Sequence, residues 1–150
     1  MYTYKPVKVK APLMEGIERF LISIDNHQEI MEALADFAKR QKIKAGVVEG
    51  IGAISEATFR FLDPATKQYV DKTFQEQMEI TNLTGNLSVK DGAPYLHVHL
   101  TCSRRDYTCV GGHLLGARVN GACELLVTDF GLTEAGRRFD PEIGLNVYDF

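Results

Sequence analysis

The sequence predicts an α+β fold, a mostly antiparallel sheet with one main amphipathic helix. Two observations carry this. Apolar and polar residues alternate with period two over several short stretches separated by turn chemistry, and a helical period occurs in one place, about Gln28 to Gln41. At 150 residues the chain reads as one domain, residues 1–150, long enough to bury a core without disulfide staples.

Residues 1–19 lack a clear period and read as an irregular or edge-strand lead-in, after which Phe20 to Ile24 forms a strand. Asp25 and Asn26 offer a helix N-cap, and Glu29 three residues after Asn26 completes a capping-box-like arrangement. In the helix, Ile30, Leu34, Phe37 and Ala38 make one apolar stripe that should lie across a sheet. His27, at its first turn, is expected on the surface.

Lys44 to Ser55 is an apolar run broken by Glu49 and three glycines, which implies burial on both sides and close approach of another backbone or a ligand. A carboxylate in such a strand either meets a partner or sits at an edge, because burying it unpaired is costly. Glu56 to Leu62 and Gln68 to Phe74 form a hairpin around Asp63–Lys67. Gln77 to Val89 reads as a further strand pair with Gly85 as a bulge, and Lys90-Asp91-Gly92 turns the chain into the next strand.

That strand, beginning near Tyr95, places His97 and His99 between Leu96, Val98 and Leu100, so both imidazoles share one face. If the segment from Val110 pairs beside it, His113, just after Gly111 and Gly112, joins them. Three neutral histidines with an open position suit zinc, and imidazole also suits nickel, copper or iron. Cys102 falls on the opposite face, in the core. Leu114 to Val119 and Gly121 to Phe130 are expected as two strands joined by an Asn120-Gly121 hairpin. An Asp140–Gly144 turn then leads to a terminal strand, Leu145 to Phe150.

Three cysteines without CxxC spacing argue against a disulfide framework or a thiolate zinc knuckle and fit reduced thiols in a cytoplasm. No apolar leader or membrane-length run occurs, so neither export nor membrane insertion is expected. A net charge of −3 is opposite to the usual bias of an autonomous nucleic-acid binder. The doublets Arg104-Arg105 and Arg137-Arg138 read as solvated loops.

Gly50-Ile51-Gly52-Ala53, Leu83-Thr84-Gly85-Asn86-Leu87-Ser88, Asp91-Gly92, His97-Val98-His99, Gly111-Gly112-His113-Leu114 and the apolar strand through Glu124 together resemble the plants and prokaryotes conserved (PPC) domain, in its stand-alone prokaryotic form. The resemblance implies a homotrimer and carries a DNA-binding label. The family's AT-hook route to DNA needs an Arg-Gly-Arg-Pro core that this sequence lacks. The fold is also similar to that of acetolactate decarboxylase, whose zinc ligand pattern His97, His99 and His113 match. Two functions are therefore expected to compete. One is a trimeric binding module, with DNA, a protein or a small molecule as partner. The other is a metal-dependent, decarboxylase-like enzyme acting on a small carbonyl acid, with Glu49 as general acid or base and Arg104 or Arg105 holding an anionic substrate.

Overall fold

The computed structural model describes residues 1–7, 16–131 and 134–150. Among the described residues, nine strands and one helix follow in the order β1 (Tyr2–Val7), β2 (Glu18–Ile24), α1 (Ile30–Gln41), β3 (Gly46–Asp63), β4 (Gln68–Phe74), β5 (Met78–Lys90), β6 (Ala93–Ser103), β7 (Cys109–Asp129), β8 (Arg137–Asp140) and β9 (Leu145–Tyr148). The result is a mostly antiparallel sheet with a single helix. Seven strands form the main sheet in the order β1-β2-β7-β6-β5-β3-β4, and β8 and β9 form a separate ribbon.

The main sheet wraps on itself because β3 and β7 are long and bent. Over Gly46–Ile54, β3 lies between β5 and the second half of β7; beyond Glu56 it lies between the first half of β7 and β4. Four register shifts along these pairings bend the strands enough to close the sheet. The inner face carries Val48, Ile54, Leu83, Val98, Leu100, Leu114, Leu125 and Val127, all buried. The helix packs its Ile30, Leu34, Phe37 and Ala38 stripe into the same core, as its spacing requires. Phe37 meets Phe20, Tyr2 and Tyr4 edge to face at centroid distances of 5.3, 5.8 and 5.2 Å. Lys42, in the left-handed region at φ 57°, ends the helix and donates its N–H to the carbonyls of Ala38 and Lys39.

Several local expectations change. The N-cap is Glu29, not Asp25 or Asn26: its Oε2 accepts from the N–H of Glu32 at 2.6 Å and its Oε1 from that of Ala117 at 2.8 Å. Asn26 instead accepts from the N–H of Gly121 through Oδ1 at 3.0 Å. Both side chains are therefore spent on tying the helix start to β7, a demand local capping rules do not contain.

Asn120-Gly121 is no hairpin. Paired on both sides of this dipeptide to β3, β7 runs straight through it, with Gly121 at φ 126° absorbing the bend. Gly85 is not the bulge of β5, which is one strand and shifts register between Ile80 and Asn82. A Cβ on Gly85 would stand 2.6 Å from the carbonyl oxygen of His97, so the glycine permits close packing against β6. The run from Lys44 is not buried on both sides: Glu49 and Ile51 are exposed on the outer face. The lead-in contains an edge strand, β1, while residues 8–15 lie outside the described residues.

Replacing Glu29 with Ala removes one cap bond and one tie to β7. Urea denaturation should show a lower midpoint at unchanged slope, with a loss of roughly 1–2 kcal/mol.

Candidate metal centre

Residues directly opposite each other in antiparallel strands point to the same face, and the register therefore assembles the site. His99 on β6 pairs with His113 on β7, and His113 pairs with Arg60 on β3, which pairs with Asp71 on β4. In the other direction His99 pairs with Thr84 on β5, Thr84 with Glu49 on β3, and Glu49 with Leu126 on β7. One outward-facing row thus reads Leu126, Glu49, Thr84, His99, His113, Arg60, Asp71. His97 stands two residues before His99 on the same face, opposite Asn86.

Close approach of β7 to β6 depends on Gly111, where a Cβ would lie 2.4 Å from the carbonyl oxygen of Leu100. With that approach, one ring nitrogen from each of His97, His99 and His113 lies within 4.8 Å of the others. His97 Nε2 and His99 Nε2 are 3.2 Å apart. Two ligands on a tetrahedral zinc with Zn–N bonds of about 2.0–2.1 Å stand about 3.3 Å apart, so this pair is spaced as two corners of one coordination sphere. The donor set of three imidazoles fits zinc, and equally other imidazole-binding transition metals.

The electrostatics favour the neutral, ligand-ready form. Burial, then the neighbouring His113 and His99, then the Arg137 guanidinium, push His97 down to about 4. His113 is lowered by burial, by His99 and by Arg60, with Asp71 acting in the opposite sense. Neutral imidazoles present lone pairs, and metal binding then needs no displacement of a proton near pH 7.

The flanking groups are built from the same row. Arg60 makes a two-pronged pair with Asp71, Nε to Oδ1 at 2.8 Å and Nη2 to Oδ2 at 2.7 Å, and stacks on Tyr69 with its guanidinium carbon 4.6 Å from the ring centre. On the other side Arg137 lies between Tyr95 and Tyr148, 4.9 and 4.2 Å from their ring centres. The doublet containing Arg137 is thus no solvated loop: Arg137 opens β8 and packs against the β5–β6 hairpin.

Glu49 lies on the histidine row but two strands from His99, with Thr84 between, and its side chain is exposed. Arg104 and Arg105 sit at the turn between β6 and β7, beyond Ser103, where Arg104 Nε is held by Glu76 at 2.9 Å. Arg60 and Arg137, rather than these two, flank the histidines. Nothing local in the sequence marks either one, since each reaches the site through strand pairing or a tail that folds back. His27 is remote from the cluster, exposed beside Asn26.

The Plants and Prokaryotes Conserved (PCC) domain matches residues 14–131. The chain belongs to this family. A candidate DNA-binding protein from Bacteroides thetaiotaomicron shares 48% identity over all of this chain and 98% of its own, with a TM-score of 0.90. A metal-containing protein from Archaeoglobus fulgidus shares 32% identity over 88% of this chain and 93% of its own, at a TM-score of 0.83. Acetolactate decarboxylase from Bacillus subtilis, at 15% identity and a TM-score of 0.52, shares the fold across 71% of this chain and 50% of that enzyme. No curated protein matches. Among the described residues, no helix of the PCC-domain chain is long and apolar enough to cross a membrane.

The lowered His97 sets a pH dependence. Between about 6.5 and 4 the unfolded chain binds a proton at this position that the folded chain refuses, so the stability of metal-free protein falls as pH drops through that window. Thermal melts of chelator-treated protein should show this slope, and His97→Gln should flatten it.

Proposed function

We propose that this chain is a one-domain PCC protein whose His97, His99 and His113 bind one transition metal, zinc being the best match, and present its open position to a small ligand. The single observation that carries the reading is the convergence of three imidazole nitrogens within 4.8 Å on the outer face of the sheet. The metal-containing relative from Archaeoglobus fulgidus supports it. A metal held by three neutral histidines supplies Lewis acidity and lowers the pKa of bound water. The chain's own contribution is to fix the three rings on paired strands and to disfavour protonation of His97 and His113.

In this reading the protein is a homotrimer, as the family resemblance implies, and works in the cytoplasm, which suits its free cysteines. Exposed Leu21 and Ile51 on β2 and β3 offer apolar surface for such assembly. Turnover of a small carbonyl acid is the enzymatic version of the same site, with Glu49 as its acid or base. Glu49→Gln with unchanged metal content and unchanged turnover would remove Glu49 from that role.

Elemental analysis of untagged protein should find about one zinc or other transition metal per chain, lost in His97→Ala/His99→Ala. A chain that neither carries nor takes up metal overturns the reading.

DNA binding is the second reading, favoured by the 48%-identical Bacteroides relative described as a candidate DNA-binding protein. A net charge of −3 gives it little electrostatic support. It requires duplex retardation that weakens steeply with salt, and no shift at low salt would remove it.

A further inference from the structure

The C-terminal ribbon lies beyond the segment matched by the family, which ends at residue 131, and it brings a guanidinium to the histidine face. Arg137 is held on three sides. Its guanidinium carbon lies 4.9 and 4.2 Å from the ring centres of Tyr95 and Tyr148. Nε donates to Ser88 Oγ at 2.8 Å, and Nη1 donates to the carbonyl of Asn146 at 3.1 Å. Ser88 is itself buried and donates to the carbonyl of Tyr95 at 3.1 Å. Nη2 is buried and meets no acceptor among the described residues.

An N–H of a charged group left unmet in the interior is costly, and the surrounding network is too specific for a loose surface arginine. The position of the spare donor is what gives it meaning. Tyr95, His97 and His99 alternate along β6 on one face, so the Tyr95 and His97 side chains leave the backbone roughly 6.6–6.8 Å apart along the strand. That separation suits a molecule of a few heavy atoms with one end at the histidine centre and the other at Arg137.

We propose that Arg137 is the anion-recognition residue of the three-histidine centre, donating from Nη2 to a carboxylate oxygen of a small acid whose neighbouring hydroxyl or carbonyl oxygen occupies the open position of the metal. The proposal rests on the metal reading above and gives its ligand class. With Nε and Nη1 engaged, the guanidinium offers one donor group rather than a fork, which matches one carboxylate oxygen. The aromatic walls strip water from the cation, which favours a monoanion over a strongly hydrated phosphate dianion. Engaging Nη2 requires a small shift of the ribbon, whose two four-residue strands pair only with each other in the sheet ladder.

Isothermal titration of zinc-loaded protein with glycolate, glycolamide and inorganic phosphate tests this, with metal content measured on every sample. Glycolate should bind, and glycolamide and phosphate should bind at least about ten-fold more weakly. Arg137→Gln should weaken glycolate by roughly ten- to a hundred-fold at unchanged zinc content. Glycolate binding that is equal to glycolamide, or indifferent to Arg137 in zinc-loaded protein, overturns the subsite and leaves the metal centre standing. Equal or tighter phosphate binding overturns the carboxylate assignment. Failure to load zinc or another metal overturns both. If Arg137→Gln does not fold, the glycolate-to-glycolamide ratio in the parent protein decides alone.

Discussion

The fold and the candidate site both depend on where β7 pairs. Its first five residues, Cys109–His113, bond to β6, its middle bonds to β3, and its end bonds to both β3 and β2. One strand thereby closes the sheet, buries Leu114, Val119, Leu125 and Val127 on the inside, and lifts His113 to the outside opposite His99. A slip of one residue would exchange the two faces, sending His113 inward and Leu114 to water. Apolar burial on the inside therefore fixes the histidine geometry on the outside, which needs no stabilising contact of its own.

The glycines along β3, β5 and β7 are part of the same constraint. At Gly50, Gly52, Gly85 and Gly111 an added Cβ would meet neighbouring backbone at less than 3 Å. Close strand approach is what lets three imidazoles from two strands converge on one point. A wider spacing would separate His113 from the His97–His99 pair, and a donor set of three would become one of two.

Charge around the centre is arranged asymmetrically. Arg60 pairs through Nε and Nη2 with Asp71, so beside His113 the positive charge is compensated. Among the described residues Arg137 has no carboxylate partner, and it stands on the His97 side beside the rings of Tyr95 and Tyr148. Arg137 disfavours protonation of His97 and Arg60 that of His113, and of the two only Arg60 is paired with a carboxylate among the described residues. A PCC domain with this ribbon therefore differs, on its outer face, from the segment that the family match covers. The same asymmetry gives the open side of the centre a direction, toward the β5–β6 hairpin.

Much of this protein is written locally. The helix stripe at Ile30, Leu34, Phe37 and Ala38, the His-x-His alternation, the inward Cys102, and the turns at Asp63–Lys67 and Lys90–Gly92 follow from periodicity and turn chemistry. They come out as read because each depends on residues within a few positions of one another. The shared face of His97 and His99 is determined by sequence alone, since a strand has period two. Local rules fail where a distant strand claims the same groups. Glu29 is drawn to the N–H of Ala117, and Asn120-Gly121 stays extended because β3 supplies partners on both sides. The joining of His113 to the pair was conditional in the sequence and is decided by the β6–β7 register. Arg60 and Arg137 come to the centre only in the folded chain, because pairing across a closed sheet and the return of a C-terminal ribbon are long-range choices, set by burial of the whole core.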